Sequence, residues 1–289
     1  MDPRSRPWRS VLYIPGSKAR ALEKARGLEA DAIIFDLEDA VAVEEKARAR
    51  DLLVRTLAEG GYGRRAKIVR INGFETPWGG DDIAALGGAE IDAVLIPKVG
   101  SAQDVEAVAR EIPGVALWAM IESPQGVLNA AAIAAHPRMQ GFVMGTNDLA
   151  KDLGMRFRPD RLPLMHALQA ALMAARAEGI VCIDGVFNAY LDEEGLATEC
   201  EQGRDMGFDG KTLIHPAQLA CANRAFAPSE AEIDLARRQI AAFDAAEAEG
   251  LGVAVVDGKI VENLHIVTAR QTLAKAEAIA VMEQGQETA

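Results

Sequence analysis

The sequence predicts an α/β protein, a (β/α)8 TIM barrel with a C-terminal helical and hairpin arm, and three observations carry that expectation. Short apolar runs recur along residues 1–227, separated by helix-length segments, as in parallel strands joined by helical crossovers. The runs are nearly continuous rather than alternating, so both strand faces are expected to be buried, and counting strand and helix pairs gives eight. Asp36, Glu38, Asp39, Arg70, Lys98, Glu122, Asp148, Asp184 and His215 all fall at or just past the carboxyl ends of these runs, the face on which barrel enzymes carry their sites.

Residues 10–15 (Ser-Val-Leu-Tyr-Ile-Pro) make the first expected strand, closed by Pro15-Gly16-Ser17, with Ser17 placed to cap a helix running to residue 28. Residues 32–35 make the second, ending in Asp36-Leu37-Glu38-Asp39, and residues 43–58 the next helix. The third strand, 67–72, carries Arg70 near its end and runs into a Gly-rich loop. The fourth, 93–96, finishes in Pro97-Lys98. Two central runs, Ala-Leu-Trp-Ala-Met-Ile before Glu122 and Gly-Phe-Val-Met before Gly145-Thr146-Asn147-Asp148, flank an Ala-rich, Pro-free segment, 125–135, expected as one helix. A helix over 161–178, a strand over 181–186, a helix over 192–206 and a strand over 211–214 complete the repeat, with His215-Pro216 after it.

Beyond Pro228 the pattern changes, so residues 1–227 are expected as the catalytic barrel and 228–289 as an arm or lid. Ser229-Glu-Ala-Glu232 has the spacing of a capping box and opens a helix to residue 248. Runs at 253–256 and 259–261 flank an Asp257-Gly258 turn, the signal of a hairpin, and a last helix follows over 263–282.

A balance of 31 basic against 43 acidic residues gives −12, which argues against nucleic-acid or membrane-surface binding. Cys182, Cys200 and Cys221 share no metal-ligand spacing and are expected as reduced thiols in the cytoplasm. Residues 1–9 hold charges and no apolar run, so a signal peptide is not expected, and no run reaches the ~20 apolar residues of a membrane span.

If their strands are parallel neighbours, Glu122 and Asp148 converge on one point, and two hard oxygen ligands with open positions suit Mg²⁺. The pattern alone equally allows Glu122 to cap the helix at Gln125 and Asp148 to be an N-cap. Asp36, Glu38 and Asp39 read either as a solvated loop with Asp39 capping a helix or as a cluster orienting Arg70 or metal-bound waters, with Glu38 the choice. Arg70, one step before the end of an apolar run, points to a paired or functional role. Lys98 is a substrate contact or a rim ion pair. Pro15-Gly16-Ser17 and Gly145-Thr146-Asn147 offer backbone N–H groups to an anion, or are simply tight turns. His215 reads as a satisfied rim histidine rather than a proton carrier; His136, His166 and His265 read as structural.

Several stretches taken together resemble a known family. Arg9-Ser-Val-Leu-Tyr-Ile-Pro-Gly-Ser17, Asp31-Ala-Ile-Ile-Phe-Asp-Leu-Glu-Asp39, Val69-Arg-Ile-Asn-Gly73, Ile96-Pro-Lys98, Gly145-Thr-Asn-Asp148, Gly207-Phe-Asp-Gly-Lys-Thr-Leu-Ile-His-Pro216 and Val256-Asp-Gly-Lys259 are similar, in order, to the citrate lyase beta subunit-like (HpcH/HpaI aldolase/citrate lyase) family of CoA-ester lyases. The C-terminal stretch from Val255 and the upstream Asp192-Glu-Glu-Gly-Leu resemble its (3S)-malyl-CoA thioesterase branch. The resemblance implies a barrel, Mg²⁺ (with Mn²⁺ as a substitute) on Glu122 and Asp148, and Arg70 beside the reacting oxygens. It also implies an acid/base carboxylate delivered by the C-terminal arm of a neighbouring subunit; where many lyases carry Lys-Met-Ile-Asp, this chain has Lys259-Ile-Val-Glu262.

The expected site therefore has Arg70, Glu262 and Glu38 as catalytic residues, and Arg70, Glu122, Pro15, Lys98, Gly145, Thr146 and Asn147 as substrate contacts. Glu122 and Asp148 are its metal ligands. The expected activity is hydrolysis of (3S)-malyl-CoA by a homo-oligomer (dimer, trimer or hexamer), with carbon-carbon cleavage of malyl-, β-methylmalyl- or citramalyl-CoA, or a role as the beta component of a multisubunit citrate lyase, as alternatives.

Overall fold

Eight parallel strands hydrogen-bond in sequence order and close on themselves, so the barrel has no free edge. This structure, a computed structural model, describes residues 6–287. The chain divides into two compact units, Trp8–Phe226 and a C-terminal one from residue 227. The strands are β1 (Ser10–Pro15), β2 (Ala32–Asp36), β3 (Ala66–Arg70), β4 (Ala93–Ile96), β5 (Ala116–Ile121), β6 (Met139–Met144), β7 (Val181–Asp184) and β8 (Gly210–Leu213). Between and after them lie α1 (Ala19–Ala25), α2 (Lys46–Glu59), α3 (Gly79–Leu86), α4 (Ala102–Glu111), α5 (Pro124–Leu128), α6 (Ala130–Ala134), α7 (Thr146–Asp152), α8 (Met165–Ala177), α9 (Glu193–Met206) and α10 (Leu219–Phe226).

Period-two alternation sorts each strand's side chains between two cores. Val11, Ile34, Ile68, Leu95, Trp118, Val143 and Ile183 fill the barrel interior. Leu12, Phe35, Val69, Val94, Phe142, Cys182 and Leu213 face the helical layer and pack with Leu53, Val105 and Leu168. The seam pairs Ser10 with Lys211 and Leu12 with Leu213. It can close because Gly210 has no side chain: a Cβ there would lie 1.7 Å from the Trp8 carbonyl oxygen.

Several element boundaries differ from expectation, each for a local reason. Ser17 does not cap the first helix, which starts at Ala19 after Lys18 with no side-chain cap. The Gly16 N–H is tied to the Asp36 carbonyl at 2.8 Å, which keeps the turn flat against β2 and leaves the Ser17 hydroxyl buried before the helix begins. The single helix expected over 125–135 is two, broken at Asn129, whose amide donates to the Gly100 carbonyl at 2.6 Å. Arg161 does not begin a helix; it is left-handed, with φ 51°, and a 3-10 turn over Leu162–Leu164 leads into α8. Asp39 caps nothing, since the 3-10 turn ahead of α2 starts after Ala42 without a side-chain cap.

The C-terminal unit holds α11 (Glu230–Ala248), β9 (Ala254–Val256), β10 (Lys259–Val261) and α12 (Asn263–Glu287). The Ser229–Glu232 capping box forms as its spacing predicts. β9 and β10 pair antiparallel through Asp257 and Gly258, both at positive φ, as a two-residue hairpin turn requires. Ala246, Ala254, Val256, Val261 and Ile266 make this unit's own small core. Among the described residues, no helix is long and apolar enough to cross a membrane.

Candidate active site

The strand alternation that fills the barrel with Val11, Ile34, Ile68 and Trp118 carries on for one more layer at the carboxyl end, and there the side chains turn polar. Tyr13, Asp36, Arg70, Met120 and Glu122 occupy those positions and line a cavity of about 320 Å³, completed by Gly145, Thr146, Asn147 and Asp148 after β6 and by Asp39, Val186 and Ile214. Apolar strands thus deliver charged groups to one place without interrupting the core.

Arg70 is held as a fork. Its Nε and Nη2 donate to the two oxygens of Asp36 at 2.8 and 2.6 Å, and its Nη1 lies 2.9 Å from Glu38 Oε2 and 3.5 Å from Asp39 Oδ2. The guanidinium sits 5.0 Å over the Tyr13 ring. Burial would lower the Arg70 pKa, but Asp36, Tyr13 and Glu38 beside it hold it well above its ordinary value. Asp36 does double duty, because its carboxylate also accepts the N–H groups of Glu38 and Ala40 at 2.8 and 3.0 Å and so shapes the loop that carries Glu38.

Glu122 is buried, and its Oε1 accepts the Lys98 N–H at 2.6 Å. Burial pushes its carboxyl up to about 7; the Lys98 N–H opposes this, while the charges of Glu38 and Asp148 add to it. Gly145 stands directly against it: a Cβ at that position would lie 2.3 Å from the Glu122 Cβ. Asp148 is the third residue of α7, half-buried and facing the same cavity. Neither acid caps a helix, since Ser123 caps α5 and α7 follows Gly145 without a side-chain cap.

The donor chemistry of this pair fits a divalent cation. Two hard carboxylates share a cavity, the ionisation of one opposed by burial and by like charge, and the nearby guanidinium is already engaged by Asp36 and Glu38. Among the described residues no group of three or more His, Cys, Asp or Glu converges as a complete ligand set. A cation on Glu122 and Asp148 would therefore draw its remaining ligands from water and substrate.

Of the residues singled out from the sequence, Arg70, Glu38, Lys98, Glu122, Asp148, Gly145, Thr146 and Asn147 gather at this end of the barrel through the contacts and cavity just described. Pro15 ends β1 with its carbonyl accepting the Lys18 N–H, and the Gly16 N–H is taken by Asp36, so this segment serves as a tight turn. Glu262 lies in the C-terminal unit, exposed where the hairpin enters α12, its backbone N–H donating to His265 Nδ1. His215 caps a 3-10 turn through Nδ1 and stacks on Tyr190.

Asp184 does not join the cavity. Its parity in β7 matches Cys182, so it faces the helical layer, where Arg161 Nη1 contacts both its oxygens at 2.8 Å and Lys211 Nζ lies at 3.1 Å, itself bound to Glu199 at 2.6 Å. This network, with Asp184 and Lys211 fully buried and Glu199 partly so, braces β7 and β8 against α9. Sequence reasoning also passed over Lys46, whose buried ammonium donates to the carbonyls of Leu37 and Glu38 at 2.9 and 2.6 Å, and Asn72, which donates to the Leu37 carbonyl at 2.9 Å. Both pin the loop that presents Glu38.

Comparison with known proteins agrees with this architecture. Residues 9–216 match the HpcH/HpaI aldolase/citrate lyase family. The chain is 69% identical over 280 residues to a (3S)-malyl-CoA thioesterase of Cereibacter sphaeroides (strain ATCC 17025 / ATH 2.4.3), covering 97% of this chain and 98% of that one. It is 36% identical to the citrate lyase subunit beta of Escherichia coli (strain K12), covering 97% of each. Among solved structures, the CitE protein of Mycobacterium tuberculosis in complex with magnesium, acetoacetate and coenzyme A superposes with a TM-score of 0.79 at 31% identity, covering 95% of this chain and 99% of that one.

Proposed function

The chain belongs to the HpcH/HpaI aldolase/citrate lyase family, and we propose that it is a Mg²⁺-dependent enzyme that hydrolyses (3S)-malyl-CoA to malate and CoA. The observation that carries an acyl-CoA chemistry is the buried Glu122 facing Asp148 in the cavity that Arg70 also lines. The choice of malyl-CoA and of hydrolysis rests on the chain-long 69% identity to a protein of that name. Magnesium in the related CitE structure supports the choice of cation, and Mn²⁺ is proposed as a substitute of like chemistry.

Bound by Glu122 and Asp148, Mg²⁺ would supply Lewis acidity to the hydroxyl and carboxylate oxygens of the malyl group. Arg70, immobilised by Asp36, presents a permanent positive charge to the thioester carbonyl oxygen as negative charge builds there. Glu262 is the proposed base: it takes a proton from the water whose oxygen attacks the thioester carbon. Collapse of the tetrahedral intermediate breaks the C–S bond, the proton held by Glu262 passes to the departing CoA sulfur, and the acyl carbon becomes the second carboxyl of malate, which ionises to solvent. Gly145, Thr146 and Asn147 line the cavity beside Asp148 and are proposed to contact the acyl group. Val255, Ile260, Leu264 and Val267 are exposed apolar residues of the C-terminal unit. They support its proposed role as an interface in a homo-oligomer that presents Glu262 to a neighbouring subunit.

The more distant identity to a citrate lyase subunit favours carbon-carbon cleavage as the second reading. Incubation with malyl-CoA and Mg²⁺ separates the two. Free thiol and malate are expected, suppressed by a chelator; acetyl-CoA with glyoxylate would establish the lyase, and turnover indifferent to chelation would remove the metal from either.

A further inference from the structure

Pro97 follows the end of β4, and Lys98 is the residue that turns the chain away from the barrel. It does so at φ 53°, a left-handed conformation that is unfavourable for any residue with a Cβ and that turns ordinarily give to Gly or Asn. Two contacts leave this one residue in different directions. The backbone N–H donates to Glu122 Oε1 at 2.6 Å, and the Nζ lies 3.1 Å from Glu38 Oε1. The other Glu38 oxygen meets Arg70 Nη1 at 2.9 Å. Glycine would make the first contact without strain but could not make the second. A lysine in extended conformation would carry its N–H away from Glu122.

We infer that Lys98 is a positioning residue: its left-handed backbone orients Glu122, its ammonium orients Glu38 against Arg70, and together they set the spacing between the acid pair and the guanidinium. The Glu38 contact is what holds the unfavourable backbone in place, so the two duties are coupled. This deepens the reading of the site given above and rests on it. A lysine that simply touched substrate would behave differently, because its loss would act on substrate affinity and not through Glu38.

The test uses the full chain carrying Lys98→Gly, Lys98→Ala or Lys98→Met, with Mn²⁺ binding followed by calorimetry, thermal melts, and steady-state kinetics on malyl-CoA with Mg²⁺. Lys98→Gly adopts the left-handed turn freely and is expected to keep Mn²⁺ affinity within about twofold, with an undiminished melting temperature. Lys98→Ala keeps the Cβ penalty with nothing to hold it and is expected to bind Mn²⁺ about fivefold more weakly or worse. Turnover is expected to fall at least about tenfold in all three, with KM changed less than about threefold. On a Glu38→Gln background, Lys98→Met should cost almost nothing further.

Wild-type Mn²⁺ affinity in both Lys98→Gly and Lys98→Ala would overturn the inference, as would a rise in KM at unchanged kcat, fully multiplicative effects of Lys98→Met and Glu38→Gln, or no Mn²⁺ binding by the wild type. Should the wild type bind Mn²⁺ and the Gly and Ala variants separate while malyl-CoA is left untouched, the assigned substrate fails and the positioning role stands.

Discussion

Glu122 is a carboxylate set where ionisation is expensive. Burial is the main cause, reinforced by Glu38 and Asp148 and opposed by the Lys98 N–H, and the carboxyl is pushed up to about 7 from an ordinary 4.5. Between those values the folded protein keeps a proton that the unfolded chain has lost, so this group makes stability fall as pH rises through that window and flatten above it. A cation binds only the ionised form and competes with that proton. Added Mg²⁺ should therefore raise the melting temperature little at about pH 5 and fully by about pH 8, and Glu122→Gln should lose the effect at both. Scanning fluorimetry at the two pH values checks this; an equal shift at both would contradict it. Arg70 contributes no such titration, since guanidinium stays charged throughout.

Strand pairing turns a residue's identity into geometry, and the β5–β6 pair shows how tightly. Gly145 has an ordinary φ of −89°, so it is not there for backbone freedom; it is there because a Cβ would lie 2.3 Å from the Glu122 Cβ and 2.7 Å from Oε2. Gly145→Ala is expected to cost ~1–3 kcal/mol of stability through overpacking, and to weaken Mn²⁺ binding about tenfold or more as Glu122 is driven off its position. Thermal melts and a calorimetric titration would show both, and an unchanged Mn²⁺ affinity would refute the second. The strands themselves were legible in the sequence: β1 and β4 fall on their expected bounds because an apolar run ended by Pro leaves little choice. The gathering of Arg70, Glu122 and Asp148 was legible too, since each sits where a strand ends or its first following turn begins. Asp184 was not, because lying at a strand end says nothing of which face it takes, and its parity sends it outward to Arg161 and Lys211. Lys46 was equally hidden: at the start of a helix it reads as a solvent-facing cation, and only the fold brings the Leu37 and Glu38 carbonyls over it.

At the level of the whole chain, the proposed metal ligands Glu122 and Asp148 lie on the Trp8–Phe226 unit and the proposed base Glu262 lies on the C-terminal one. Glu262→Gln should therefore leave Mn²⁺ affinity at the wild-type value while lowering kcat on malyl-CoA by about 10²–10⁴, the range for loss of a general base. Equal losses of binding and turnover, measured by calorimetry and thiol release, would place Glu262 elsewhere in the reaction. The closed barrel has a different consequence, for how the molecule comes into being. Its seam joins Ser10 to Lys211, about 200 residues apart in the chain. As the polypeptide emerges from the ribosome, β1 waits with one side unsatisfied until the last strand has been made, and the growing sheet is open to wrong partners throughout synthesis.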